Sequence, residues 1–196
     1  MSRPAKFGPD MQLFYASRDG QSRRIAERIA ARLAEQGIVA QPHDLGAGLP
    51  MPDSLAQARL VVVVAAVRYG KHLPEAERFL GFYRKQNAPP PLVLLSVSLV
   101  ARKPGKDTVE GNAYLRKSIA RHRLSPALAM CFAGRLDYAR YGWLDKQIIR
   151  LIMKLTGGPT EPNACVEYTA WDVIDDTARR IAELYDSGQA ARGIRP

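Results

Sequence analysis

The string Ser17-Arg18-Asp19-Gly20-Gln21-Ser22 holds the residue types from which a phosphate site is built. It follows an apolar run and opens a helical pattern. A loop feeding a helix N-terminus points unpaired backbone N–H groups and the positive end of the helix at one spot. Ser17 and Ser22 add hydroxyl donors, and Gly20 lets the backbone curl around an anion. As a bare pattern this is also an ordinary cap and turn. Its place in a first strand-to-helix turn is what points to phosphate.

Three further segments follow apolar runs and carry ligand-binding residue types: Arg68-Tyr69-Gly70-Lys71, Ser96 to Lys103, and Gly134-Arg135-Leu136-Asp137-Tyr138. Tyr69 and Tyr138 suit stacking on a flat ring, and Gly70 and Gly134 permit close backbone approach. Ser98, Leu99, Arg135 and Leu136 complete the same loops. No metal site is expected, because His43, His72 and His122 lie far apart with no partner at ligand spacing. Cys131 and Cys165 lack CxxC spacing and read as two reduced thiols of a cytoplasmic protein.

The elements that must position these loops alternate. Met11–Ala16 is a short strand, and Gln21 to Gln36 a helix with Ile25, Ile29 and Leu33 inward and Gly37 as its stop. Val39–Leu45 is a weak strand. Leu60–Val67 and Pro91–Val100 are β-branched runs without polar alternation, the habit of strands covered on both faces. Pro74–Gln86 is a helix burying Phe79, Leu80 and Tyr83, and Asn112–His122 reads as another. Ala127–Ala133 and Ala164–Thr169 read as strands. Thr169 and Asp172 form a capping box for a last helix with Val173, Ile174, Thr177, Ile181 and Leu184 inward. The reading is an α/β chain with a doubly wound parallel five-stranded sheet, whose loops converge at its carboxyl edge.

Neither G-x-G-x-x-G nor G-x-x-x-x-G-K-S/T occurs, so the dinucleotide and P-loop fingerprints are both missing. A monophosphate cofactor remains, and FMN is the usual one on such a sheet. Ser17–Ser22 (SRDGQS), Val67–Gly70 (VRYG), Val97–Pro104 (VSLVARKP), Gly134–Tyr141 (GRLDYARY) and Leu151–Gly158 (LIMKLTGG) together resemble the bacterial menaquinone-dependent protoporphyrinogen IX dehydrogenases. The resemblance runs from Met11 to about Tyr185. It implies a flavodoxin-like fold, FMN as cofactor, protoporphyrinogen IX as substrate and a membrane quinone, menaquinone or ubiquinone, as acceptor. Arg102, Lys103 and Arg140 are then candidates to receive the substrate's propionates. Where this chain has Ser17 and Ser22 the family typically has Thr, which keeps the hydroxyl. Asp19 beside a phosphate is unfavourable unless it points outward or caps the helix.

The net charge is +10. From Ala101 to Lys154 twelve cations face four anions, so this stretch carries +8 of it. The charge belongs to two insertions, at about 101–125 and 134–163, and not to the scaffold. Trp143–Thr156 is amphipathic, with Leu144, Ile148, Leu151, Ile152 and Leu155 on one face and Lys146, Arg150 and Lys154 on the other. Ile149 and Met153 fall outside that apolar arc. Given a quinone acceptor, this helix is expected to meet an anionic membrane surface on the cytoplasmic side. No apolar run is long enough to span a bilayer, so contact is peripheral.

Residues 1–10 are expected to lie outside the fold, with Met11 as an alternative start, 11–187 to form the domain and 188–196 a tail. A homo-oligomer is compatible with the sequence. A flavodoxin-type electron carrier or another FMN-dependent quinone reductase is the alternative function, but such carriers are usually acidic. Nucleic-acid binding rests on charge alone and explains neither the phosphate loop nor the apolar helix face.

Overall fold

The structure is a computed structural model that describes residues 10–138, 143–155, 159, 161 and 164–193. Its centre is Leu60–Arg68 (β3), where Leu60 to Ala65 are buried on both faces. Unbroken Val and Ala suit that position because no side chain there meets water. Met11–Ala16 (β1) pairs in parallel on one side of β3 and Leu92–Val97 (β5) on the other. Pro42–Asp44 (β2) and Leu128–Phe132 (β6) complete a parallel sheet of order β2-β1-β3-β5-β6. This is the expected doubly wound five-stranded sheet.

Helices cover both faces. Gln21–Ala34 (α1) and Trp171–Gly193 (α6) pack on the side of Leu13, Val62 and Leu95. Pro74–Arg84 (α3) and Ala113–His122 (α4) pack on the side of Phe14, Val63 and Leu94. Ile25, Ile29 and Leu33 are wholly buried, as their spacing predicts, and each contributes about 1.5–3 kcal/mol. Gly37, at φ +78, ends α1 by letting Ile38 donate to the Leu33 carbonyl. A short helix at Pro52–Gln57 (α2), which the periodicity misses, buries Leu55.

Several boundaries move. The weak second strand shrinks to three residues at the sheet edge, where Pro42 costs no ladder bond. The Pro91–Val100 run leaves the sheet at Ser98, whose N–H donates to the Phe132 carbonyl, and Leu99–Arg102 coils into a 3-10 turn. The segment expected as a strand at Ala164–Thr169 supplies Cys165–Glu167 (β8), which lies off the main sheet. It pairs antiparallel with Arg135–Asp137 (β7) in a separate ribbon. Thr169 does not cap α6: its hydroxyl donates to the Ala133 carbonyl and accepts from Gln21. Ala170 takes the capping place, with Ile174 donating to its carbonyl. Val173, expected inward, is 39 % exposed.

Asp10 belongs to the fold, since its carbonyl accepts the Arg59 and Leu60 N–H groups. Residues 1–9 lie outside the described residues, and α6 continues to Gly193 through the expected tail. No helix among the described residues is long and apolar enough to cross a membrane.

Candidate functional site

The carboxyl edge of the sheet carries a cleft of about 200 Å³. Its walls come from all four expected loops: Arg18, Asp19, Gln21 and Ser22 after β1, Arg68 to Gly70 at the end of β3, Ser98 to Val100 after β5, and Gly134 and Arg135 after β6.

In the first loop Gly20 stands at φ +89 as the cap residue of α1, a left-handed conformation that glycine adopts at no steric cost. The Ser17 hydroxyl accepts the Gly20 N–H at 3.0 Å and so shapes the loop from within. Asp19 neither points away nor caps the helix. Arg68 donates to it at 3.0 Å, so the acid is neutralised by the loop opposite. That pairing is invisible in the sequence, where the two lie 49 residues apart.

Lys71–His72 (β4) returns antiparallel on the end of β3, making Arg68–Lys71 a two-residue hairpin. Both central residues have positive φ, Tyr69 at 51° and Gly70 at 78°, as a type I′ turn requires. A bulky residue there is held against its backbone preference. Tyr69 is 55 % exposed over the cleft, with the Arg68 guanidinium 5.5 Å from its ring centre.

The flavodoxin-domain family model matches residues 12–163. A curated Escherichia coli K12 protein, "Protoporphyrinogen IX dehydrogenase (quinone)", is 37 % identical over 89 % of this chain and 95 % of its own length. The Leishmania major protein of the same name is 32 % identical over 92 % of this chain and 78 % of its own. The chain belongs to this family of flavodoxin-domain dehydrogenases. Among solved structures, the rubredoxin oxygen:oxidoreductase of Desulfovibrio gigas aligns at TM-score 0.50 with 13 % identity, over 92 % of this chain and 37 % of that one. That likeness speaks to the fold alone.

A flavodoxin domain implies a flavin cofactor, and the residues of this dehydrogenase-family cleft fit one. The Ser22 and Ser98 hydroxyls line it, are buried, and have no hydrogen-bond partner among the described residues. Buried polar groups are normally paired, so two orphans in one cleft mark places for a ligand's polar atoms. The first-turn N–H groups of α1 open beside Ser22.

Other expected residues are used differently. Gln21 borders the cleft, but its amide donates to Glu167 and Thr169 and accepts from Arg24, tying the loop to the ribbon. Tyr138 and Leu136 are fully buried, and the Tyr138 hydroxyl donates to the Pro159 carbonyl. Tyr138 therefore does not stack in the cleft, because the chain turns inward after Gly134 to build a small core of its own. Arg102 donates to the Leu99 carbonyl at 2.6 Å and lies over Tyr168, and neither it nor Lys103 borders the cleft. Arg140 lies outside the described residues.

Several cleft residues escape the sequence reading, among them Leu73, just after β4, and two from helices. Tyr114 comes from α4 and Ile149 from Trp143–Leu155 (α5), both inside the insertions. No loop pattern flags them, since they reach the cleft by packing. On α5 the domain is met from outside the apolar arc expected to face a membrane. Met153, outside the apolar arc, is wholly buried against Leu136 and Tyr138, while Trp143, Ile148 and Leu151 are 72 %, 43 % and 59 % exposed. The histidines are not all apart either: His72 and His122 converge on Glu77. Among the described residues no cluster is arranged to hold a metal.

Proposed function

We propose that this chain oxidises protoporphyrinogen IX to protoporphyrin IX with FMN in the cleft, and passes the electrons to a membrane quinone. The observation that carries the reading is the match to the curated dehydrogenases over 89 % of this chain, which takes in both basic insertions as well as the flavin scaffold. When bound, FMN supplies the electron-accepting and electron-donating chemistry.

The chain's own residues position and neutralise. The first-turn N–H groups of α1 and the Ser22 hydroxyl hold the phosphate. Ser98 offers a hydroxyl to the ring's polar edge, and Tyr69, Tyr114 and Ile149 supply flat and apolar walls. Arg18 and Arg135 border the cleft and take over the role of Arg102 in meeting the substrate's propionates. Arg135 is oriented by Asp137 at 3.1 Å and by the Cys165 sulfur at 3.0 Å.

Helix α5 links the cleft to the acceptor. Ile149 borders the cleft, while Trp143, Ile148 and Leu151 face outward with Lys154 alongside, which supports docking on an anionic membrane where the quinone resides. Each cation near such a surface contributes about 1 kcal/mol.

The test is direct. Purified protein is denatured and the released flavin identified by mass. The holoprotein is then given protoporphyrinogen IX without oxygen, and porphyrin fluorescence is followed with and without a quinone. Quinone-dependent porphyrin formation is expected. Absence of flavin, or flavin without porphyrin formation, refutes the reading.

A further inference from the structure

A polar cluster, buried at His72 and Ser96 and partly exposed at Glu77, His122 and Arg121, lies behind the cleft wall, and no step of the proposed reaction uses it. Its centre is Glu77, in the first turns of α3. The carboxylate accepts from Arg121 Nη1 at 2.9 Å and from Ser118 Oγ at 3.2 Å, and meets His122 Nε2 at 2.8 Å. His72 Nδ1 lies 3.7 Å away, and its Nε2 is 2.9 Å from Ser96 Oγ. The His72 side chain and Ser96 are wholly buried. The His72 ring first, then His122 and Arg121, hold the Glu77 carboxyl well below the usual carboxylate range. One acid thus ties together β4, α3 and α4, and through His72 the end of β5.

The two outer arms of this cluster both reach the cleft. His72 is the last residue of a return strand only two residues long, directly after Tyr69 and Gly70. Ser118, one turn beyond Tyr114 on α4, brings Tyr114 to the same carboxylate. Hairpin and helix meet in front, where a Cβ on Gly70 would stand 3.5 Å from the Tyr114 ring. A left-handed tyrosine persists only when its surroundings over-determine it. The hydrogen bonds gathered at Glu77 add direction where apolar packing permits sliding, while the buried His72 Nδ1, 3.7 Å from the carboxylate, makes no hydrogen bond among the described residues.

We propose that Glu77 is a positioning residue that sets the Tyr69–Gly70 hairpin against Tyr114, with His72 and His122 as its two arms, and so fixes the walls that grip the flavin ring. The proposal rests on the reading that the cleft holds a flavin.

The test compares Glu77→Gln, His72→Phe and His72→Gln with Ile29→Val, a core change in α1 that weakens the fold without touching the cluster. Hydrogen exchange of residues 66–73 and 112–118, the flavin dissociation rate and the visible circular dichroism of bound flavin are read on the holoprotein. Glu77→Gln and His72→Phe are expected to speed exchange in both segments by about tenfold or more, the consequence of losing a buried hydrogen bond to a charge. They also speed flavin loss and change the dichroism, while residues 17–22 keep their protection. His72→Gln, whose amide reaches Ser96, recovers most of the loss. His122→Gln releases only the α4 arm and carries the comparison if Glu77→Gln does not fold. Parental exchange, flavin release and dichroism in these variants, with melting lowered no differently from Ile29→Val, overturn the proposal. If the parent itself binds no flavin, the cleft reading fails, and exchange of the hairpin in the same variants still decides whether Glu77 holds it.

Discussion

Replacing Arg68 with Gln is expected to weaken FMN binding by removing a cation paired with Asp19 beside the proposed phosphate loop. The two side chains meet at 3.0 Å and are 16 % and 31 % exposed. At that separation and an effective dielectric constant of about 20, the gross attraction is about 5 kcal/mol. Desolvation and partial exposure leave about 1–3 kcal/mol of it. Removing the cation lowers the charge facing a phosphate by one, so Kd should rise about 5- to 150-fold. Asp19→Asn alone should bind as the parent does or a little tighter. The double variant should return to within about threefold of the parent, because the charge that repels phosphate is gone. The assay is quenching of FMN fluorescence on titration into apoprotein. Between about 0.01 M and 1 M salt the Debye length falls from about 30 Å to about 3 Å, so the Arg68→Gln deficit should shrink. Parental binding by Arg68→Gln refutes the reasoning outright. A double variant no tighter than Arg68→Gln would mean that the arginine acts instead through Tyr69, 5.5 Å from it.

Gly20→Val forces a β-branched residue to φ near +89, at a cost of about 1–3 kcal/mol, and should lose FMN at least tenfold more readily; stoichiometric FMN of parental affinity would place the phosphate on another loop. Ile148→Ser with Leu151→Ser should release the protein from anionic vesicles and slow turnover with a lipid-embedded quinone, while a water-soluble acceptor is still reduced. Unchanged vesicle binding sinks the membrane role of α5. Glu77 is held below the usual carboxylate range by His72, His122 and Arg121, and Asp175 by Arg28 and Arg32. The unfolded chain therefore takes up these protons first, and the stability they contribute is present above about pH 5 and lost progressively as the pH falls below about 4. Urea midpoints measured from pH 6 to 3 should fall, and Glu77→Gln should flatten that decline. The Cys131 thiol is buried and pushed up to about 12 by burial first and Asp107 second, whereas Cys165 is exposed. A thiol reagent at pH 8 should titrate one cysteine in the native protein and two after unfolding.

The sheet was legible because its signals are local. A β-branched run from Leu60 can only be buried on both faces, and the four-residue recurrence of Ile25, Ile29 and Leu33 sets which side of α1 faces inward. The loops that line the cleft were legible for the same reason, since a strand-to-helix turn carries its unpaired N–H groups wherever it stands. What the sequence by itself determined is therefore the scaffold and the loops that line the cleft.

The tertiary structure decided the partners. Asp19 looked misplaced until Arg68 was brought to it, and Tyr138 looked like a stacking ring until the β7–β8 ribbon and α5 closed over it. The heptad-like spacing of Trp143–Leu155 tells which residues share a face, but not which face a neighbour claims. Here the domain took Ile149 and Met153 and left Ile148 and Leu151 outside. Glu77 draws His72 from five residues away and His122 from 45, and no pattern along the chain encodes such a meeting. Pairings of this kind depend on where separate elements pack, which is a property of the whole core and not of any window of sequence.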